Sequence, residues 1–101
     1  MENKTNIGFI GAGNMAYAII KGLLNNGYDS KNIKVSDPND ELLRKREAEL
    51  NITTFANNSS LLEVSDIIVF AVKPQVLSEV CLELREKITP KHLFISIVAG
   101  I

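Results

Sequence analysis

The chain has 101 residues, enough for one domain with a modest core and hardly for two. Apolar residues make up 46% and charged residues 23%, with a net charge of -1, so charge favours neither nucleic acid nor an anionic membrane as a partner. Cys81 is the single cysteine, which excludes an internal disulfide, and no Cys/His cluster has metal-ligand spacing. The polar start "MENKTN" lacks a basic segment followed by a long apolar one, so no signal peptide is read. No window approaches the ~20 apolar residues of a membrane span, and a reducing cytoplasm is the expected location.

In chain order, residues 7–10 form a short apolar run ending at Gly11 and predict a buried strand. Ala16, Ile19, Ile20, Leu23 and Leu24 then follow helical spacing, with Gly27 placed to stop the helix. Residues 33–36 predict a second strand, closed by Asp37 and Pro38. A helix is expected over about 39–50, with Pro38, Asp40 and Glu41 suited to its first turn and only a thin stripe of Leu42, Leu43 and Leu50. Residues 52–55 make a third strand, and Asn58, Ser59 or Ser60 is the expected cap of a short helix through Val64. "IIVFAV" at 67–72 is continuous and β-branched, as a parallel strand buried on both faces would be. Val76, Leu77, Val80, Cys81, Leu84 and Ile88 predict a further helix packed through that stripe, broken at Thr89-Pro90. Residues 93–98 give a fifth strand, with His92 at the surface where it starts.

Strands alternating with helices imply an α/β fold: a doubly wound parallel sheet of Rossmann type. Because the chain stops straight after a buried strand, we expect a fragment whose next element is missing. No repeat or low-complexity tract interrupts it.

Gly11-Ala12-Gly13-Asn14-Met15-Ala16 matches G-x-G-x-x-(G/A), with an apolar strand before it and an amphipathic helix after it. In such a motif Gly11 permits the tight turn and Gly13 lets a pyrophosphate reach the backbone. Ala16 lets helix and strand pack closely. Gly8 reads as a packing glycine inside the sheet. Asp37 stands 24 residues beyond Gly13. An acid there can accept hydrogen bonds from ribose hydroxyls and repels a 2′-phosphate, which tilts the choice toward NAD(H). It can equally cap the next helix, with Pro38 at the first position. Arg44, Lys45 and Arg46 read as a solvated helix face, although they could offset Asp37 and admit NADP(H).

"AVKPQ" at 71–75 leaves the fourth strand at the edge where open α/β sheets bind ligands, and Lys73 could meet a phosphate or a ribose hydroxyl. "VAG" at 98–100 ends the fifth strand on the same edge, with room for a flat ring. Cys81, on an apolar stripe, reads as packing. No triad and no pair of carboxylates stands out, so no catalytic residue and no metal ligand is assigned.

"IGFIGAGNMAYAIIKGLL", "AVKPQ" and "SIVAGI", in this order and spacing, resemble the N-terminal domain of pyrroline-5-carboxylate reductases across essentially the whole chain. The resemblance implies reduction of 1-pyrroline-5-carboxylate to L-proline by hydride transfer from NAD(P)H to a C=N bond. It places Ile10, Gly11, Ala12, Gly13, Asn14 and Met15 on the pyrophosphate, Asp37 toward the adenosine ribose and Asn58 on the adenosine side. Ala71, Val72, Lys73 and Pro74 fall to the central and nicotinamide ribose region, and Ala99 and Gly100 to the nicotinamide. It further implies a C-terminal helical domain, absent here, that forms a homo-oligomer and much of the substrate pocket. Asp37 departs from the small hydroxyl residue usual in that family, against its NADPH preference. The competing expectations are the cofactor domain of a β-hydroxyacid dehydrogenase and a non-catalytic dinucleotide-binding module.

Overall fold

The structure, a computed structural model, describes residues 5–87 and 93–96. Its centre is β1 (Ile7–Ile10), buried along its whole length because strands lie on both sides and helices on both faces. β2 (Ile33–Ser36) pairs with it on one side and β4 (Ile67–Phe70) on the other, so that Phe9 lies level with both Val35 and Val69. β3 (Thr53–Phe55) adds to β2 and β5 (Leu93–Ser96) to β4. The sheet order is β3-β2-β1-β4-β5, and every pairing is parallel. The expected doubly wound sheet is therefore the observed one.

Parallel neighbours need crossovers, and helices provide them. They are α1 (Asn14–Asn25), α2 (Asp40–Leu50), α3 (Asn58–Glu63) and α4 (Pro74–Leu84). A short 3₁₀ turn at Ser30–Asn32, not foreseen from the sequence, leads into β2. Strand alternation sorts the core into two halves. Ile7, Phe9, Val35 and Val69 pack with Ala16 and Ile20 of α1 and Leu43 and Leu50 of α2. Ile10, Ile68 and Phe70 face the other way, onto Leu61 and Leu62 of α3 and Val80 and Leu84 of α4. Gly8 belongs to this second face, where a Cβ would lie 2.3 Å from the Ser65 hydroxyl and 3.0 Å from Leu61. Its lack of a side chain lets α3 sit close to the sheet.

The helix ends follow local rules, with some shifts from expectation. α1 stops as predicted: Gly27 takes φ +94°, Tyr28 N–H donates to Leu23 O and Gly27 N–H to Leu24 O. α2 is capped by Asn39, whose side chain accepts the Leu42 N–H; Asp37 does not cap it, and Pro38 precedes the helix. The cap of α3 is Asn57, accepting from Ser60 N–H, one residue before the predicted candidates.

α4 buries Val80 and Leu84 with Leu77 packed against them, but Cys81 is exposed, contrary to the packing role read from the stripe. The helix meets the core through a narrow i, i+3, i+7 line, and the neighbouring residue turns outward. Ile88 and His92 lie outside the described residues. Among the described residues no helix is long and apolar enough to cross a membrane.

Candidate functional site

The strand order reverses at β1: the chain winds out through β2 and β3, then returns to place β4 on the other side of β1. At that switch point the two loops leaving β1 and β4 part, and a crevice opens at the carboxyl ends of the strands. Two adjoining clefts of about 310 and 490 Å³ occupy it, sharing Gly11, Asp37, Pro38, Val72 and Val76.

Gly11 makes the turn out of β1. Its φ is +109°, and a Cβ there would sit 2.4 Å from the Ala71 carbonyl oxygen, so both conformation and space demand glycine. Its N–H donates to Ser36 O (2.8 Å), and Ala71 N–H donates to Ile10 O (2.9 Å), which ties the loop to β2 and β4. Gly13 differs. It has ordinary extended backbone, is exposed, and a Cβ on it would meet nothing within 4 Å. The fold therefore does not require glycine at 13. Gly13 is the N-cap of α1, with no side-chain cap and no acidic residue in the first turn. The unpaired N–H groups and positive end of the helix dipole face a site lined by Gly13, Asn14 and Met15.

Asp37 leaves the end of β2 and bends under the loop. One carboxylate oxygen accepts the Ala12 N–H (2.9 Å) and the other the Asn39 N–H (2.8 Å). Each oxygen keeps a second lone pair for a further donor. Beside it lies Ser36, fully buried, whose hydroxyl bonds the Asn58 side-chain oxygen; the Asn58 amide reaches Glu83 at 3.3 Å. Asn58 thus stands in the 310 Å³ cleft with Ile10 and Asp37, while Ala71, Val72 and Lys73 line the larger one. Pro74, at the first position of α4, fixes the turn that follows. Lys73 is exposed. Ala99 and Gly100 lie outside the described residues.

The structure corrects the reading of Arg46. Far from a solvated face, it is only 6% exposed, and its Nε–H donates to the Ala12 carbonyl at 2.9 Å. Its spacing carried a signal, since Leu43, Arg46 and Leu50 form one i, i+3, i+7 line, and Arg46 fills the gap in the thin apolar stripe. Ser36 was also missed; only its place at the strand end, next to Asp37, pointed to it.

Two groups of perturbed ionisation, Tyr28 and Lys34, lie toward the opposite end of the sheet. Burial, and secondarily the Asp66 charge, raises the Tyr28 hydroxyl; burial lowers the Lys34 ammonium, with Asp66 opposing. Among the described residues, no group of three or more His, Cys, Asp or Glu could hold a metal ion. The site offers backbone donors, the carboxylates of Asp37 and Glu83, the latter paired with Asn58, and apolar walls, a set suited to binding and orienting a ribose-bearing ligand at the helix N-terminus.

A family described as NADP oxidoreductase coenzyme F420-dependent matches residues 6–100. A pyrroline-5-carboxylate reductase of Haemophilus influenzae is 46% identical over 101 residues, all of this chain and 36% of its own length. The solved pyrroline-5-carboxylate reductase of Coxiella burnetii superposes with a TM-score of 0.90 at 37% identity, covering 97% of this chain and 37% of that one. The Plasmodium falciparum pyrroline carboxylate reductase, solved with NADP bound, does so at 0.79 with 29% identity, over 100% of this chain and 36% of that one. The chain thus spans little more than a third of the relatives it matches.

Proposed function

The chain belongs to the family described as NADP oxidoreductase coenzyme F420-dependent, and from that premise we propose that it is the dinucleotide-binding part of a reductase. The reaction is conversion of 1-pyrroline-5-carboxylate to L-proline. The observation that carries the cofactor reading is the contrast within one loop: Gly11 is glycine for the fold, whereas the fold does not require glycine at 13. A Cβ at 13 would fill the place where a pyrophosphate meets the start of α1. The substrate reading rests on similarity to named pyrroline-5-carboxylate reductases over the full length of this chain.

Within that reading each residue has a task. The N–H groups at Gly13, Asn14 and Met15 hold the pyrophosphate, and the Ile10–Ala12 backbone shapes the turn beneath it. Asp37 accepts the hydroxyls of the adenosine ribose, and Asn58, braced by Ser36 and Glu83, borders the adenosine side. Ala71, Val72, Lys73 and Pro74 carry the loop beside the nicotinamide ribose, and Ala99 and Gly100 flank the nicotinamide. Bound nicotinamide supplies the hydride that reduces the C=N bond. The residues that orient the imine belong to the part of the relatives this chain does not span, which we take to be a helical, oligomer-forming domain.

We assign NADH as the preferred cofactor. The Asp37 carboxylate would lie against a 2′-phosphate, and the cations downstream do not offset it. Arg44 is already paired with Asp40 and Glu47, and Arg46 is committed to Ala12; only Lys45 of the trio remains. The test is an assay of the whole protein with pyrroline-5-carboxylate plus NADH or NADPH, set against 3-hydroxyacids plus NAD+ or NADP+. Turnover of the imine, faster with NADH, is expected. Turnover of hydroxyacids alone would move the protein to the β-hydroxyacid dehydrogenases, and dinucleotide binding with no turnover of either would favour a binding module.

A further inference from the structure

We propose that Arg46 is a positioning residue for the dinucleotide: Asp37 holds the Gly11–Ala12 peptide by its N–H and Arg46 holds the Ala12–Gly13 peptide by its carbonyl, and together they clamp the Gly11–Gly13 turn in its ligand-ready shape. This rests on the cofactor reading above and adds a residue outside the glycine motif to it.

The Ala12 N–H is held by the Asp37 carboxylate and the Ala12 carbonyl by the Arg46 Nε–H, each at 2.9 Å. Both groups come from the second β-α unit, so β2 and α2 grip the loop that β1 and α1 supply. A trans peptide points its C=O and N–H in opposite directions. Drawing the Ala12 carbonyl toward α2 therefore turns the Gly13 N–H away from α2. Arg46 also holds the far end of the loop. Its guanidinium lies 4.5 Å from the centre of the Tyr17 ring, in the first turns of α1, and Tyr17 N–H closes on Gly13 O at 3.0 Å.

Burying a guanidinium is costly unless its donors and charge are used. Here Ala12 O, the Tyr17 face and Glu49 at 3.6 Å use them. A fold needing only an apolar contact between Leu43 and Leu50 would be served by leucine. What an arginine adds is the bond to the loop.

The test compares Arg46→Met and Arg46→Lys with the exposed control Arg44→Met in the whole protein. Titration with ADP-ribose, which carries the pyrophosphate, is set against titration with adenosine, which lacks it. Arg46→Met should bind ADP-ribose about tenfold more weakly, from the loss of one charge-assisted hydrogen bond to the loop, with adenosine affinity within about twofold of wild type. Arg46→Lys, which can still donate to Ala12 O, should recover part of the loss, and Arg44→Met should match wild type. Unchanged ADP-ribose affinity in Arg46→Met, or equal losses for both ligands, would overturn the proposal. Should Arg46→Met fail to fold, the ADP-ribose to adenosine ratio of Arg46→Lys decides: a drop supports the clamp and an unchanged ratio overturns it. Wild-type protein that binds no ADP-ribose, NADH or NADPH would instead remove the cofactor reading itself, and the clamp with it.

Discussion

A methyl group added at Gly11 would collide with the Ala71 carbonyl, and one added two residues later at Gly13 would project into open space. The two substitutions should therefore separate stability from binding. Gly11→Ala forces a positive φ on alanine as well as a backbone clash, and should cost at least about 2 kcal/mol in denaturant unfolding. Gly13→Ala should leave stability within about 1 kcal/mol, since glycine and alanine differ little in packing at that exposed cap, while NADH affinity falls about tenfold. Asp37 permits a third test. Asp37→Ser removes the charge facing a 2′-phosphate and two bonds that shape the loop. NADH affinity should fall while the NADPH to NADH affinity ratio rises about tenfold, read by fluorescence titration.

Among the elements, α1 holds a paired test of its own. Gly22, in its helical interior with open space around a Cβ, should gain about 0.5–1 kcal/mol on substitution by alanine. Gly27, five residues on at φ +94°, should lose about 1 kcal/mol on the same change, because it closes the helix in the left-handed region. Thermal melts of the two variants should move in opposite directions. Such ends were legible in the sequence, because periodicity and a following glycine are local properties. α4 was less so. Its stripe of Leu77, Val80 and Leu84 was visible, but which flank faces solvent depends on where the sheet lies, and Cys81 proved to be outside. α2 shows the other limit. Charge alone assigned Arg46 to solvent, and only the arrival of the Ala12 carbonyl from a segment 34 residues earlier explains its burial. A one-dimensional pattern marks the face a residue occupies, not the partner awaiting it.

For the whole molecule, a doubly wound parallel sheet follows from alternating strands and helices with right-handed crossovers, which is why the fold class could be read before the structure, while the order β3-β2-β1-β4-β5 came from the structure. The location of the candidate site was legible in part, because a doubly wound sheet reverses its strand order at a crevice on the carboxyl edge. Gly11, Gly13, Asp37, Asn58 and Ala71 to Pro74 all come to that edge. The bracing by Ser36, Arg46 and Glu83 was not legible, since it arises from side chains of separate elements meeting only after folding.

The central claim is that this edge binds a nicotinamide dinucleotide through the glycine turn and Asp37. Its most direct test is calorimetric titration of the whole protein with NADH and NADPH, in wild type and Gly13→Ala. The account predicts one NADH per chain, weaker binding of NADPH, and a marked loss in Gly13→Ala without loss of fold. Binding of neither dinucleotide, or NADH affinity unchanged in Gly13→Ala, would contradict it.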